Sequence, residues 1–335
     1  RPQRSTLFPY TTLFRSGALA PIELNWDGEI DGLELRGVSF DKIEFAADWS
    51  APEFQLKHLR LEQQGGTLEA AGSVHVGTRQ TEASATMNLD VRALEPLLTP
   101  KTVRWLSQYG WAQPPQAEAS VRLILPEWTK ARPDWRNEVL PTLRLEGHVE
   151  AGPASFRGLQ ADAVDLRFTY TNRVWHLPEL VATRPEGKLE FSYTEDTITR
   201  DYHFHGRSRI DPQALRPLLD SKAHRAFDLF QFPTPPQVTG DVRGRWRARE
   251  RTDIQAQLEA TRFTFRGEPI DELSAALHFT NLFLSATEVQ LRTGEESVIA
   301  PGVGFRLEDQ VLFLTNATAR RSEERRVGKE CRSRW

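Results

Sequence analysis

The sequence predicts a mainly β fold: a repeated antiparallel β-meander forming a long curved sheet or groove, with one short helix per unit of about 121 residues. Three observations predict it. Apolar and polar residues alternate along many short runs. Turn-forming residues separate those runs. And the segment 93–122 returns at 214–243 without a gap, 121 positions later. Twelve of the 30 aligned residues are identical, including Ala-Leu-x-Pro-Leu-Leu, Lys101/Lys222, Arg104/Arg225 and Pro-Pro-Gln. Stacking one supersecondary unit makes most residues answerable to architecture.

Alternation identifies the strands, because successive side chains point to opposite faces. Met87, Leu89 and Val91 form one such set, and Leu143, Leu145 and Val149 a second. Val164, Leu166, Phe168 and Tyr170 follow, then Leu189, Phe191 and Tyr193. Leu273, Ala275, Leu277 and Phe279 form another, with Leu312 and Leu314 last. Gln64-Gly65-Gly66, Thr171-Asn172-Arg173 and Pro185-Glu186-Gly187 supply hairpin turn chemistry.

The Pro-Leu-Leu segments introduce the helices, expected over 99–112 and 220–232. Thr99 caps the first and Pro100 takes its first turn, where a missing N–H is harmless. Asp220 is the equivalent cap. Leu106 with Tyr109, and Phe227 with Phe230, give short apolar stripes, and Pro114-Pro115 and Pro235-Pro236 end the helices.

A second echo marks the unit start. Ser155-Phe156-Arg157-Gly158 returns as Thr264-Phe265-Arg266-Gly267, 109 residues on, with Val38-Ser39-Phe40 a weaker counterpart. The shortfall of twelve fits an insertion at Pro126 to Asn137, PEWTKARPDWRN, read as a surface loop. Units are placed at 17–153, 154–262 and, incompletely, 263–320. Residues 1–16 and 321–335 resemble translated sequencing-adapter read-through and are set aside as non-native tails. The second is polar and charged, with too little apolar surface to order itself.

The whole chain carries 43 basic and 46 acidic residues; without the tails the balance is 34 against 43. That acidic body argues against nucleic acid. Cys331, the single cysteine, lies in the second tail, so no disulfide is expected. No apolar run approaches the ~20 residues that span a bilayer.

No catalytic constellation stands out, and neither enzyme activity nor a cofactor is expected. Asp201, His203 and His205 share one strand face and could begin a zinc or iron site, yet solvated histidines are common there. Glu195-Asp196, Glu295-Glu296 and Glu308-Asp309 fall at turns or strand ends. Ser107 and Ser221 lack fixed partners, and Gly302-Val303-Gly304 lacks the lysine of a phosphate loop. Asn316-Ala317-Thr318 matches a glycosylation pattern by spacing alone.

The aromatics remain. Leu166, Phe168, Tyr170, Leu189, Phe191, Tyr193, Phe204 and Phe279 form the candidate lining of a lipid groove. The alternative is ordinary core packing. A dozen or more amphipathic strands offer more apolar face than two short helices cover, so the sheet folds on itself or leaves a groove open.

The Gly65–Gly72 stretch GGTLEAAG, the ALxPLL–helix–PPxxxG/AxV signature and Asp31–Val38, DGLELRGV, resemble the AsmA-like superfamily of bacterial envelope proteins, which includes the YhdP and TamB type. The resemblance covers roughly residues 20–319. It implies a periplasmic body on the inner-membrane side, anchored outside this segment. It also implies an apolar β-groove carrying phospholipid or another acyl-chain ligand, or supporting outer-membrane assembly, with no catalytic residues. The contrasting readings are a periplasmic scaffold with a closed apolar core and, more remotely, a polysaccharide-active enzyme.

Overall fold

The computed structural model describes residues 23–218, 224, 227–281, 283–306, 311–315 and 318–320. The two tails, Asp220, Ser221, Glu308-Asp309, Asn316 and Cys331 lie outside the described residues, as does most of the expected second helix. The fold is mainly β and antiparallel, as expected. Two compact units divide within one strand: one holds residues up to Thr183 plus Ser192–Arg200, the other Arg184–Phe191 plus Asp201 onward.

The first unit is a meander. Its strands are β1 (Glu23–Leu35), β2 (Val38–Ser50), β3 (Glu53–Gln63), β4 (Gly66–His75), β5 (Gln80–Met87), β6 (Tyr109–Trp111), β7 (Gln116–Ile124), β8 (Arg144–Ala151), β9 (Ala154–Phe156), β10 (Leu159–Ala161), β11 (Ala163–Thr171) and β12 (Val174–Arg184). Antiparallel pairing runs β1–β2–β3–β4–β5–β7–β8–β11–β12. A small side sheet joins β6, β9 and β10.

Strand β13 (Gly187–Asp196) carries the division between units. The second unit continues with β14 (Asp201–Ser208), β15 (Phe230–Gln231), β16 (Gln237–Arg245), β17 (Ala248–Phe265), β18 (Glu268–Thr280), β19 (Phe283–Thr293), β20 (Glu296–Arg306), β21 (Val311–Thr315) and β22 (Thr318–Arg320). Pairing runs β14–β16–β17–β18–β19–β20, with β21 and β22 both on β20.

The 121-residue echo extends well beyond the segment that reveals it. Shifted by 121, β3, β4, β5 and β7 acquire the bounds of β12, β13, β14 and β16. A 3₁₀ turn at Val91–Leu97 likewise matches one at Pro212–Leu218. Asp90 accepts from Arg92 N–H at the first, and Asp211 from Gln213 N–H at the second. These carboxylates meet N–H groups the turn leaves unpaired.

The hairpin opening each unit repeats three times. Arg36-Gly37, Arg157-Gly158 and Arg266-Gly267 have φ of 50/82°, 48/89° and 52/85°. Positive φ at both central residues is the tight-turn geometry that matches strand twist. The first copy is therefore Leu35-Arg36-Gly37, three residues before the expected Val38-Ser39-Phe40. Aromatics lock the same joint: Tyr109 pairs with Phe156 and Phe230 with Phe265, ring centroids 5.1 and 5.0 Å apart.

Three expectations need correction. The first helix, α1, spans Pro100–Leu106, with Thr99 as cap and Pro100 in its first turn. It stops short of 112, because Tyr109 is drawn into β6 against Phe156, which the Leu106/Tyr109 stripe overlooked. In the second copy, helix is described at His224 and Phe227, but Phe230–Gln231 is strand β15. And the Met87–Leu89–Val91 alternation ends early. Asn88 turns its side chain to the Thr67 N–H (2.6 Å), burying Leu89 and freeing Asp90 to cap.

The insertion is a surface loop with a single π turn at Trp135–Val139. Trp128 and Trp135 are exposed, and Trp128 Nε1 donates to the Val76 carbonyl (2.9 Å). Among the described residues no helix is long and apolar enough to cross a membrane.

Candidate ligand groove

The first unit collects its smallest residues into one row. Register sets Ala70 opposite Ala85, Ala85 opposite Ala119, Ala119 opposite Gly147, and Gly147 opposite Phe168. All five lie in the apolar phase of β4, β5, β7, β8 and β11. The flanking rows are Leu68, Met87, Ala117, Val149 and Leu166 on one side and Gly72, Ala83, Val121, Leu145 and Tyr170 on the other. Gly72, Ala83 and Ala117 are as small as the row itself, so the small-residue strip is broad on β4 and β5 and narrows to a lane at Gly147, between Leu145 and Val149.

A cavity of about 750 Å³ crosses the same strands on the opposite, polar face. Glu69, Ser84, Thr86, Glu118, Ser120, Glu146, His148, Arg167 and Thr169 line it beside the backbone of this row, with Lys57, His58 and Pro178 at its edge, and none of the flanking apolar residues does. Phe168 closes one end of the lane. A Cβ on Gly147 would come within 2.6 Å of its ring, so glycine is what allows Phe168 to lie across β8.

The second unit has the matching row. Gly206 pairs with Gly240 and Gly240 with Ala256. These are the counterparts of Ala85, Ala119 and Gly147, displaced by 121, 121 and 109 residues. A Cβ on Gly206 would approach Phe191 Cβ to 2.6 Å, so a large side chain overhangs this lane too. Beside it runs Phe204–Val242–Ile254–Phe279–Leu284.

The eight residues expected to line a groove thus divide between the units. Leu166, Phe168, Tyr170 and Tyr193 belong to the first, and Leu189, Phe191, Phe204 and Phe279 to the second. Tyr170 is buried against Trp175 at 4.9 Å, and Phe168 is 6.1 Å from the same ring. Phe191 and Phe204 stand 6.0 Å apart. Tyr193 donates its hydroxyl to Glu195 (2.6 Å). Seven of the eight are only half-buried; Tyr170 is the buried one.

That incomplete burial holds generally. The buried apolar residues among those described number twelve, four of them alanine. The largest buried cluster, Ala260, Phe263 and Ile270 with Phe230, Phe232, Leu273 and Leu291, sits at the strand ends near β15 rather than mid-sheet. Most other apolar residues of the strands are half-buried.

The histidine triplet behaves differently from its sequence reading. His203 and His205 lie on the opposite, polar face and share one carboxylate from β16: Asp241 is 2.8 Å from His203 Nε2 and 3.1 Å from His205 Nδ1. The two imidazoles hold the Asp241 carboxyl below the usual carboxylate range. Asp201 is held by the Arg245 guanidinium at 2.6 and 3.1 Å. The acid paired with the histidines is therefore Asp241, 36 residues beyond His205, which spacing along one strand could not reveal.

The small-residue row escaped notice because alanine and glycine carry no chemical signature. The echo contained it: Ala119/Gly240 lies inside the repeated segment. No family model, curated protein or solved structure matches this chain.

Proposed function

We propose that this chain is a non-enzymatic lipid-handling segment of a bacterial envelope protein, in which each unit's small-residue lane receives an acyl chain. The observation that carries the reading is the pair of matching small-residue rows, Ala70–Ala85–Ala119–Gly147 and Gly206–Gly240–Ala256, on apolar strand faces that are only half-buried. Bacterial origin, periplasmic placement and a role in phospholipid transfer or outer-membrane assembly follow from the AsmA-like resemblance, as does a membrane anchor elsewhere in the parent protein.

A periplasmic scaffold is the second reading, favoured by the closed cluster around Phe263 and Phe230. Native mass spectrometry of the purified chain separates the two. Phospholipid or fatty acid retained at a defined stoichiometry supports the lane. A chain that stays free of lipid after incubation with phospholipid vesicles supports the scaffold.

A further inference from the structure

On the polar face of the first unit, three acidic residues from three strands surround one imidazole. Asp165 Oδ1 on β11 lies 3.1 Å from His148 Nε2 on β8, and Glu150 Oε1 lies 3.7 Å from the same nitrogen. On the other side of the ring, Glu118 Oε1 on β7 is 3.9 Å from Nδ1. One ligand atom each from His148, Glu150 and Asp165 falls within a 4.8 Å circle, the sole such trio among the described residues. The imidazole is 20% exposed.

Two features set this cluster apart from the other histidine–aspartate contacts. First, Glu150 and Asp165 are directly opposite in the β8–β11 register. Like charges so placed repel across the strands. Among the described residues neither is ion-paired with lysine or arginine; both face the same histidine. By contrast, His203 and His205 both contact Asp241, and His278 contacts Asp253.

Second, the fold does not require these residues. The second unit places Thr239, Gln257, Glu259 and Ser274 where the first has Glu118, His148, Glu150 and Asp165. Glu259 and Ser274 pair in register as Glu150 and Asp165 do. The same strands thus form with neutral groups at three of the four positions. The first unit concentrates negative charge around an imidazole for a reason other than pairing strands.

We propose that His148 Nε2, Glu150 and Asp165 bind a divalent transition-metal ion, zinc being the best match, with Glu118 accepting from Nδ1–H. One imidazole and two carboxylates offer three ligands of the type zinc takes, and leave a coordination position for water or a further group. Ligand atoms around zinc stand about 3.3 Å apart, given bonds of about 2.0–2.2 Å. The present 3.1 and 3.7 Å separations from Nε2 need little adjustment. A carboxylate on the far ring nitrogen fixes the tautomer and raises ligand basicity, the outer-shell role expected of Glu118. The cation would also relieve the Glu150–Asp165 repulsion. The site does not rest on the lipid reading: it lies on the polar face, where His148 and Glu118 also line the 750 Å³ cavity, and not on the apolar lane.

The test is calorimetric titration of zinc chloride into the chelator-treated full chain near neutral pH, with cobalt absorption as a geometric readout. The expected result is one tight equivalent. His148→Gln and Asp165→Ser introduce the residues the second unit already carries, so the strands should form. Each should weaken zinc by about 100-fold, and Glu118→Thr by about 10-fold. The double variant His203→Ala/His205→Ala should bind as wild type. Three results would overturn the site: no saturable zinc binding, wild-type affinity in both His148→Gln and Asp165→Ser, or loss of zinc only when His203 and His205 are removed. Circular dichroism confirms that each variant folds.

Discussion

Leu89 and Ile210, 121 positions apart, occupy one place in two copies of the same joint. Each is almost wholly buried, at 1% and 2% exposure. Each follows a strand of the meander (β5 or β14) and precedes an aspartate that caps a 3₁₀ turn. Because most of the sheet is half-exposed, these plugs carry a disproportionate share of the packing. Leu89→Ala and Ile210→Ala should each lower the unfolding free energy by about 2–5 kcal/mol, the usual cost of a buried large-to-small change. Urea denaturation measures it; a loss below about 1 kcal/mol at both positions would show that the joint is not a core.

Filling the lane should separate folding from ligand uptake. Ala85→Phe and Ala119→Phe place a ring where methyl groups form the floor, on faces that are not tightly packed. Both variants should fold, and both should lose retained lipid in native mass spectra. Phe191→Glu makes the complementary point. In a closed core an unpaired carboxylate would cost several kcal/mol. On the half-exposed face seen here it can reach water, so melting should shift little while lipid retention falls. Unfolding of Phe191→Glu would favour the scaffold reading.

The repeated Arg-Gly hairpins give a purely conformational prediction. A Cβ on Gly37 or Gly267 meets nothing within 4 Å, yet their φ values are +82° and +85°. Gly37→Val or Gly267→Val should therefore cost about 1–2 kcal/mol through backbone strain alone. Equal cost at both sites, measured by thermal melting, would confirm one turn geometry. A neutral outcome would mean the turn relaxes to another type.

Asp241 gives an acid-limb prediction. Its carboxyl is held below 3.8 by hydrogen bonds from His203 and His205. A depressed acid contributes stability that is present above the unfolded value and is lost as pH falls through the folded one. Asp241→Asn removes the contribution, so melting temperature should fall less steeply below about pH 4 than in wild type. The pair is partly exposed, so the effect should also shrink with added salt. An unchanged acid limb would show that solvent already screens the contact.

The strands were legible because alternation is a local signal, and Phe168, Phe191 and Phe204 each lie on the strand their spacing implies. The repeat was legible because Pro-Leu-Leu and Pro-Pro-Gln survive between copies. Helix length was not: Leu106 and Tyr109 have helical spacing, yet Tyr109 gains more by pairing with Phe156, 47 residues away. The same limit hid Asp241 and the His148 cluster, whose members come from three strands. Register between strands, which brings such groups together, is written in no single stretch of sequence. The small-residue lane was hidden for the opposite reason, since it consists of side chains that are nearly missing.

The coincident bounds of β3 and β12 carry a consequence for size. In the first unit the path from one to the other crosses six pairings. At about 4.8 Å per strand, a full repeat advances roughly 29 Å along the hydrogen-bonding direction. Within the first unit the repeat thus sets a step of fixed size along the hydrogen-bonding direction, and because the step is a whole number of strands, each residue and its counterpart 121 positions on keep the same phase of alternation.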